Sequence, residues 1–195
     1  MPLPNICPLN KAKVKSASYF ADANVWIYSL QNWDNLQPWE DQYYQFFFDI
    51  IESKLDPKPR ILMPTLLLSE IVNTYLRKFA IPEYRMDNAI PPAQEIDFKK
   101  DYRPTQHYKD SYEKIMDDIG GLRSSIEYVD DETIANHDTL CNKLLGIFDY
   151  NDYLYYTLCK ELNKTRRVVL LTNDSDFQVT DIEIITRNRT LLELR

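Results

Sequence analysis

The chain has 195 residues and a mass of 23.2 kDa, with 44% apolar and 27% charged residues. That composition excludes a disordered segment and suits one ordinary domain with a buried core. A net charge of −7 disfavours a simple basic nucleic-acid module. Three scattered cysteines, three glycines and two distant histidines likewise exclude a disulfide framework, a structural zinc site, a Gly-rich nucleotide loop and a His-based triad.

Residues 1–17 mix prolines with Lys11, Lys13 and Lys15 and read as a loosely held leader. With no apolar run behind those lysines, no secretory signal is expected, and the chain is expected in the cytoplasm. Residues 18–21 form a short apolar strand ending at Asp22, and residues 24–30 a short helical turn. Pro38 opens a helix over 39–54, with Trp39, Tyr43, Phe46, Phe47, Ile50 and Ile51 at helical spacing. Residues 60–63 predict a second strand and residues 65–80 a third helix, with Thr65 as its N-cap.

Residues 81–106 hold Pro82, Pro91, Pro92 and Pro104 and read as an irregular excursion peripheral to the fold. Helical periodicity returns over 106–119. Residues 128–129 suggest a strand, and 131–145 and 149–163 two more helices. Residues 168–171 form a strand of buried type, 182–185 a last strand, and 190–194 a closing helical turn. Strands alternating with helices predict a three-layer α/β/α domain with a mostly parallel sheet. The expected organisation is a leader at 1–17 and one domain at 18–195, with an insertion at about 81–128.

Such sheets carry their sites beyond the carboxyl ends of the strands. Asp22 and Asp174 both follow strands. Glu70 shares a helix face with Asn73 and Arg77, a face that taken alone reads as solvent-exposed. Asp149 and Asp152 open a helix, where acids complement the dipole, and Asp152 sits at the rim of the apolar arc. Asp174 and Asp176 lie in a Thr-Asn-Asp-Ser-Asp turn. Each acid alone reads as structural. Brought together, as the resemblance described next implies, they would make an oxygen-only set suited to Mg²⁺ or Mn²⁺ rather than Zn²⁺.

In their order, four segments resemble the PIN-domain ribonucleases, including the toxin ribonucleases of toxin–antitoxin pairs. They are Tyr19-Phe20-Ala21-Asp22-Ala23-Asn24-Val25; Met63-Pro64-Thr65 through Ser69-Glu70-Ile71; Phe148-Asp149-Tyr150-Asn151-Asp152; and Leu171-Thr172-Asn173-Asp174-Ser175-Asp176-Phe177. The resemblance implies a PIN-like fold and a metal-dependent endoribonuclease. It gives Asp22, Glu70, Asp152 and Asp174 as the catalytic, metal-binding quartet, with Asp149 and Asp176 as auxiliary metal ligands. Asn24, Thr172 and Asn173 would support them. RNA is the implied substrate, and an antitoxin protein and a second copy of the chain are candidate partners, with no membrane. Arg77 is a candidate phosphate clamp. The chain departs from compact toxin-type members in its length and in the tyrosine-rich helix after Asp152.

Two alternatives stay open. A non-catalytic PIN-fold scaffold could bind RNA or protein without cutting. A phosphotransferase with a D-x-D nucleophile would need an acid at position 24, where this chain has Asn24.

Overall fold

The structure, a computed structural model, describes residues 5–31, 36–130 and 148–194. The expected helix over 131–145, with His137 and Cys141, lies outside the described residues. Six strands form one all-parallel sheet: β1 (Ile6–Pro8), β2 (Ser18–Ala21), β3 (Arg60–Pro64), β4 (Ile126–Val129), β5 (Val168–Leu171) and β6 (Glu183–Thr186). Their spatial order is β1-β6-β5-β2-β3-β4. Flanking helices are α1 (Ala23–Leu30), α2 (Pro38–Glu52), α3 (Thr65–Tyr75), α4 (Ile81–Asp87), α5 (Gln106–Gly121), α6 (Tyr150–Asn163) and α7 (Arg189–Leu192). The α/β expectation holds, and every described strand pairing is parallel.

Parallel strands covered on both faces need apolar residues at consecutive positions, not alternate ones. Both β2 and β5 are buried along their whole length. Against them, α1 and α2 pack through Trp26 on Phe47, with ring centroids 4.8 Å apart, and Tyr19 meets Phe46 at 6.2 Å. Such edge-on aromatic pairs add about 0.5–1.5 kcal/mol beyond their burial.

The leader expectation is corrected. Residues 6–8 pair with β6 in register Ile6↔Ile184, and Ile6 and Leu9 enter the core. Without β1, β6 would expose a row of unpaired backbone groups. Farther along, Lys15 and Arg167 both bind the buried carboxylate of Glu183, each at 2.5 Å.

The excursion at 81–106 is also more ordered than its prolines suggest. Helical backbone continues from α3 through a π-helical turn at Leu76–Ala80 into α4. A proline ring inside a helix crowds the carbonyl four residues earlier. The widened turn just before Pro82 relieves that crowding, so the helix continues where periodicity predicted its end. Tyr102 is fully buried. It meets Tyr84, Phe98 and Tyr108 at 5.3–5.9 Å, and its hydroxyl lies 3.1 Å from His107 Nδ1. The excursion therefore owns a small aromatic core fused to the main one. Among the described residues no helix is long and apolar enough to cross a membrane.

Candidate functional site

From β2, the chain runs outward through β3 and β4 on one side, while β5 and β6 lie on the other. The sheet order thus reverses between β2 and β5. In open parallel sheets that reversal leaves a crevice at the carboxyl ends of the two strands, because their following segments diverge to opposite faces. The register Ala21↔Leu171 places the next residues, Asp22 and Thr172, side by side at this crevice. The Asp22 amide donates to Leu171 O at 3.1 Å.

Asp22 has two jobs. Its Oδ1 accepts from the Val25 amide at 2.8 Å and caps α1. Its Oδ2 accepts from the Thr172 hydroxyl and, at 3.2 Å, from the Asn173 amide. Thr172 in turn accepts from the Asp174 amide at 2.9 Å. One hydroxyl therefore ties two of the acids together. Asp22 is only 6% exposed. Burial pushes its carboxyl up to about 6, and Asp174 adds repulsion, while the bonds from Thr172, Val25 and Asn173 pull the other way.

The remaining acids arrive from three elements. Glu70, on α3, is half-buried, and the Tyr155 hydroxyl of α6 donates to its Oε2 at 2.8 Å. For Glu70 the solvent-face reading is thereby corrected, since its carboxylate meets α6, whereas Asn73 on the same face is exposed. Asp149 is the N-cap of α6, its Oδ1 accepting from the Asp152 amide at 2.9 Å. Asp174 Oδ1 accepts from the Asp176 amide at 3.0 Å in the turn after β5. Asp149 and Asp176 are exposed, whereas Asp152 and Asp174 are half-buried.

Asp152 lies at the centre of this set. Its carboxyl is raised to about 7, first by burial and then by repulsion from Asp149, Asp174, Asp22 and Glu70. Asp152 thus feels the other three predicted core acids and one auxiliary. Asn24 sits in the first turn of α1, two residues past Asp22. Asn173 lies between Thr172 and Asp174, its Oδ1 accepting from the Tyr43 hydroxyl at 3.1 Å.

Arg77 is not brought to the crevice. Its guanidinium stands 4.4 Å over the Phe98 ring, a contact worth about 0.5–1 kcal/mol at an exposed position. The π-helical turn carries Arg77 toward the excursion instead of keeping it on the Glu70 face.

Sequence reasoning missed two tyrosines. Tyr155 reads as one more member of the apolar arc of α6, yet it is three residues from Asp152, one helical turn along the same face. The buried Tyr43 of α2 places its hydroxyl 2.9 Å from Thr172 O, and the Arg187 amide donates to that hydroxyl at 2.8 Å. Its position in an aromatic run hides that polar end. Burial pushes the Tyr43 phenol up to about 12, so it stays a neutral donor and acceptor.

The donors at the crevice are all oxygens, in a set whose charges oppose one another. Hard divalent cations suit such chemistry. The spacing is looser than a coordination sphere: among the described residues, no three His, Cys, Asp or Glu side chains form a group able to hold a metal ion. Holding one would require the carboxylates to turn inward from the partners described above.

No family model, no curated protein and no solved structure matches this chain.

Proposed function

We propose that the chain is a metal-dependent endoribonuclease of PIN-like type, acting in the cytoplasm, with Asp22, Glu70, Asp152 and Asp174 as its catalytic acids. The observation that carries this reading is the convergence of those acids on Asp152 at the reversal point of the sheet. By donor chemistry the four would hold Mg²⁺ or Mn²⁺, with Asp149 and Asp176 at the rim. The ion would supply a water of lowered pKa and neutralise charge at a phosphodiester.

What the chain itself contributes is orientation. Thr172 and the Asn173 amide hold Oδ2 of Asp22 at the crevice, while the Val25 amide fixes its Oδ1. Tyr155 holds Glu70 from the opposite helix. The turn after β5 fixes Asp174 through the Asp176 amide. No serine, cysteine or histidine is needed as a covalent nucleophile in this reading. Within it, a toxin role with an antitoxin protein or a second copy of the chain as partner is a narrower version, which the chain's length beyond compact toxin-type members speaks against.

The test is Asp174→Asn. The amide keeps an Oδ1 able to accept from the Asp176 backbone, so stability should stay within about 0.5 kcal/mol. Mg²⁺- or Mn²⁺-dependent cleavage of single-stranded RNA should fall by roughly 10²-fold or more, as when one preorganised electrostatic group is removed. A wild type that binds RNA but never cuts it, at any concentration of either ion, would make the protein a scaffold.

A further inference from the structure

We infer that the cavity beside the crevice, lined by Arg187 and Arg189, seats a backbone phosphate of the RNA strand whose cleavage is proposed for the acids. The inference rests on the nuclease reading for its substrate, but its geometry is independent of it. The cavity has a volume of about 250 Å³; Arg187 and Arg189 are its charged lining residues, beside polar Asn10, Gln42 and Thr186 and apolar Pro8, Leu9 and Leu192. Drug-sized ligands generally occupy about 300–1,000 Å³. This space is therefore better matched to a phosphate group than to a whole nucleotide. It opens at the carboxyl ends of β6 and β1, on the same sheet edge as the acids. At about 4.8 Å per strand, those ends lie roughly 5 and 10 Å from the end of β5. One extended strand can reach both places.

Pairing separates these two arginines from the cations at the amino end of the sheet. At the amino end of the sheet, Lys15 and Arg167 bind Glu183, and Arg166 grips Glu127 through two bonds of 2.7 and 2.8 Å. Among the described residues, neither Arg187 nor Arg189 has a carboxylate within ion-pair distance. In a chain of net charge −7, Arg187 and Arg189, both lining the cavity and neither ion-paired, are available for an anion.

Their backbone is also held to the acidic loop. The Arg187 amide donates to Tyr43 Oη, which itself donates to Thr172 O or Asn173 Oδ1. Between the two arginines, the Asn188 side chain donates to Asn173 O at 2.8 Å. The backbone at 187–188 is thus tied to the loop that carries Asn173 and Asp174. The acids cannot attract an RNA backbone by themselves, since their charge has its sign. The arginines supply the attraction and set the strand's path along the sheet edge.

The experiment uses the full chain and a fluorescent 12-nucleotide single-stranded RNA, with anisotropy followed from 50 to 200 mM salt. Arg187→Gln/Arg189→Gln should weaken binding about 10-fold or more at 50 mM salt. It should also flatten the log–log salt slope by about 0.7 for each phosphate that is no longer neutralised. Arg123→Gln, an exposed change just before β4, serves as control and should bind like the wild type. Unchanged melting temperatures would show that the variants remain folded. An unchanged salt slope and affinity in the double variant would overturn the assignment. So would a variant that loses its thermal response to inorganic phosphate yet binds RNA normally, which would make the cavity a free-phosphate site. If the wild type cuts no RNA while the double variant still loses binding, the phosphate seat stands and the nuclease reading falls alone.

Discussion

Replacing Asp152 by Asn should make the metal-free protein more stable while removing its activity. The carboxyl of Asp152 is raised from 3.8 to about 7 by burial and by four neighbouring acids. A native-state pKa above the unfolded value means that the native protein binds the proton more tightly. Stability therefore falls as pH rises from about 4 to about 7 and stays level above that range. About three pH units correspond to roughly 4 kcal/mol if nothing screens the charge. Asp152 is only half-buried, and solvent screening brings this to about 1–2 kcal/mol. The charge also favours the first turn of α6 by about 0.3–1 kcal/mol, which the amide forfeits. The net gain for Asp152→Asn is about 1 kcal/mol at pH 8, or roughly 2–4 °C in melting temperature for a chain of this length. Calorimetry from pH 4 to 8 without divalent ions should show the gain at pH 8 and its disappearance near pH 4. With millimolar Mg²⁺ the order should reverse, because the wild type gains stability by mass action and the variant gains less. A variant less stable at pH 8, or a gap that does not change with pH, would refute the account of a crowded carboxylate.

Glu183→Gln should cost about 1–3 kcal/mol, since it strips the buried partner from two cations that can partly return to water. Burial opposes ionisation of Glu183, but its bonds to Lys15 and Arg167 outweigh that and hold its pKa below 4.5. Its stabilisation is present above pH 4.5 and lost on further acidification, so urea titrations should show the gap between wild type and variant closing as the pH falls below 4.5. Tyr102→Ala should cost about 3–5 kcal/mol, the usual penalty for emptying a buried aromatic site, whereas a peripheral loop would show under 1 kcal/mol by the same denaturation. Ala89 holds φ at 51° just past α4, and its amide donates to Met86 O. There Ala89→Gly should add about 0.5 kcal/mol, since relief of left-handed strain slightly exceeds glycine's entropy cost.

The strand runs, the helix periods and the acid spacings are local properties. A four-residue apolar stretch such as Val168–Leu171 can be buried on both faces only in a covered parallel sheet, and Asp22 or Asp174 after such a stretch must emerge at its carboxyl edge. For that reason the α/β class and the ordered acids were legible from one chain. What decided the rest was contact between segments far apart in sequence. The strand order brought β5 against β2 and so set Thr172 on Asp22, 150 residues apart. It also brought α6 against α3, and with that turned Glu70 from a solvent face toward Tyr155. The same holds for Ile6 at the edge of β6, for Tyr102 in an aromatic core, and for Arg77 on Phe98. Ile6 and Tyr102 have polar or irregular neighbours in sequence, and a partner from elsewhere in the chain supplies the surface that buries each, whereas Arg77 stays exposed and is placed by the Phe98 ring. Hydrophobic periodicity reports which face of an element is apolar. It carries no information about which polar residue on the other face will meet a second element, because that depends on how the layers stack.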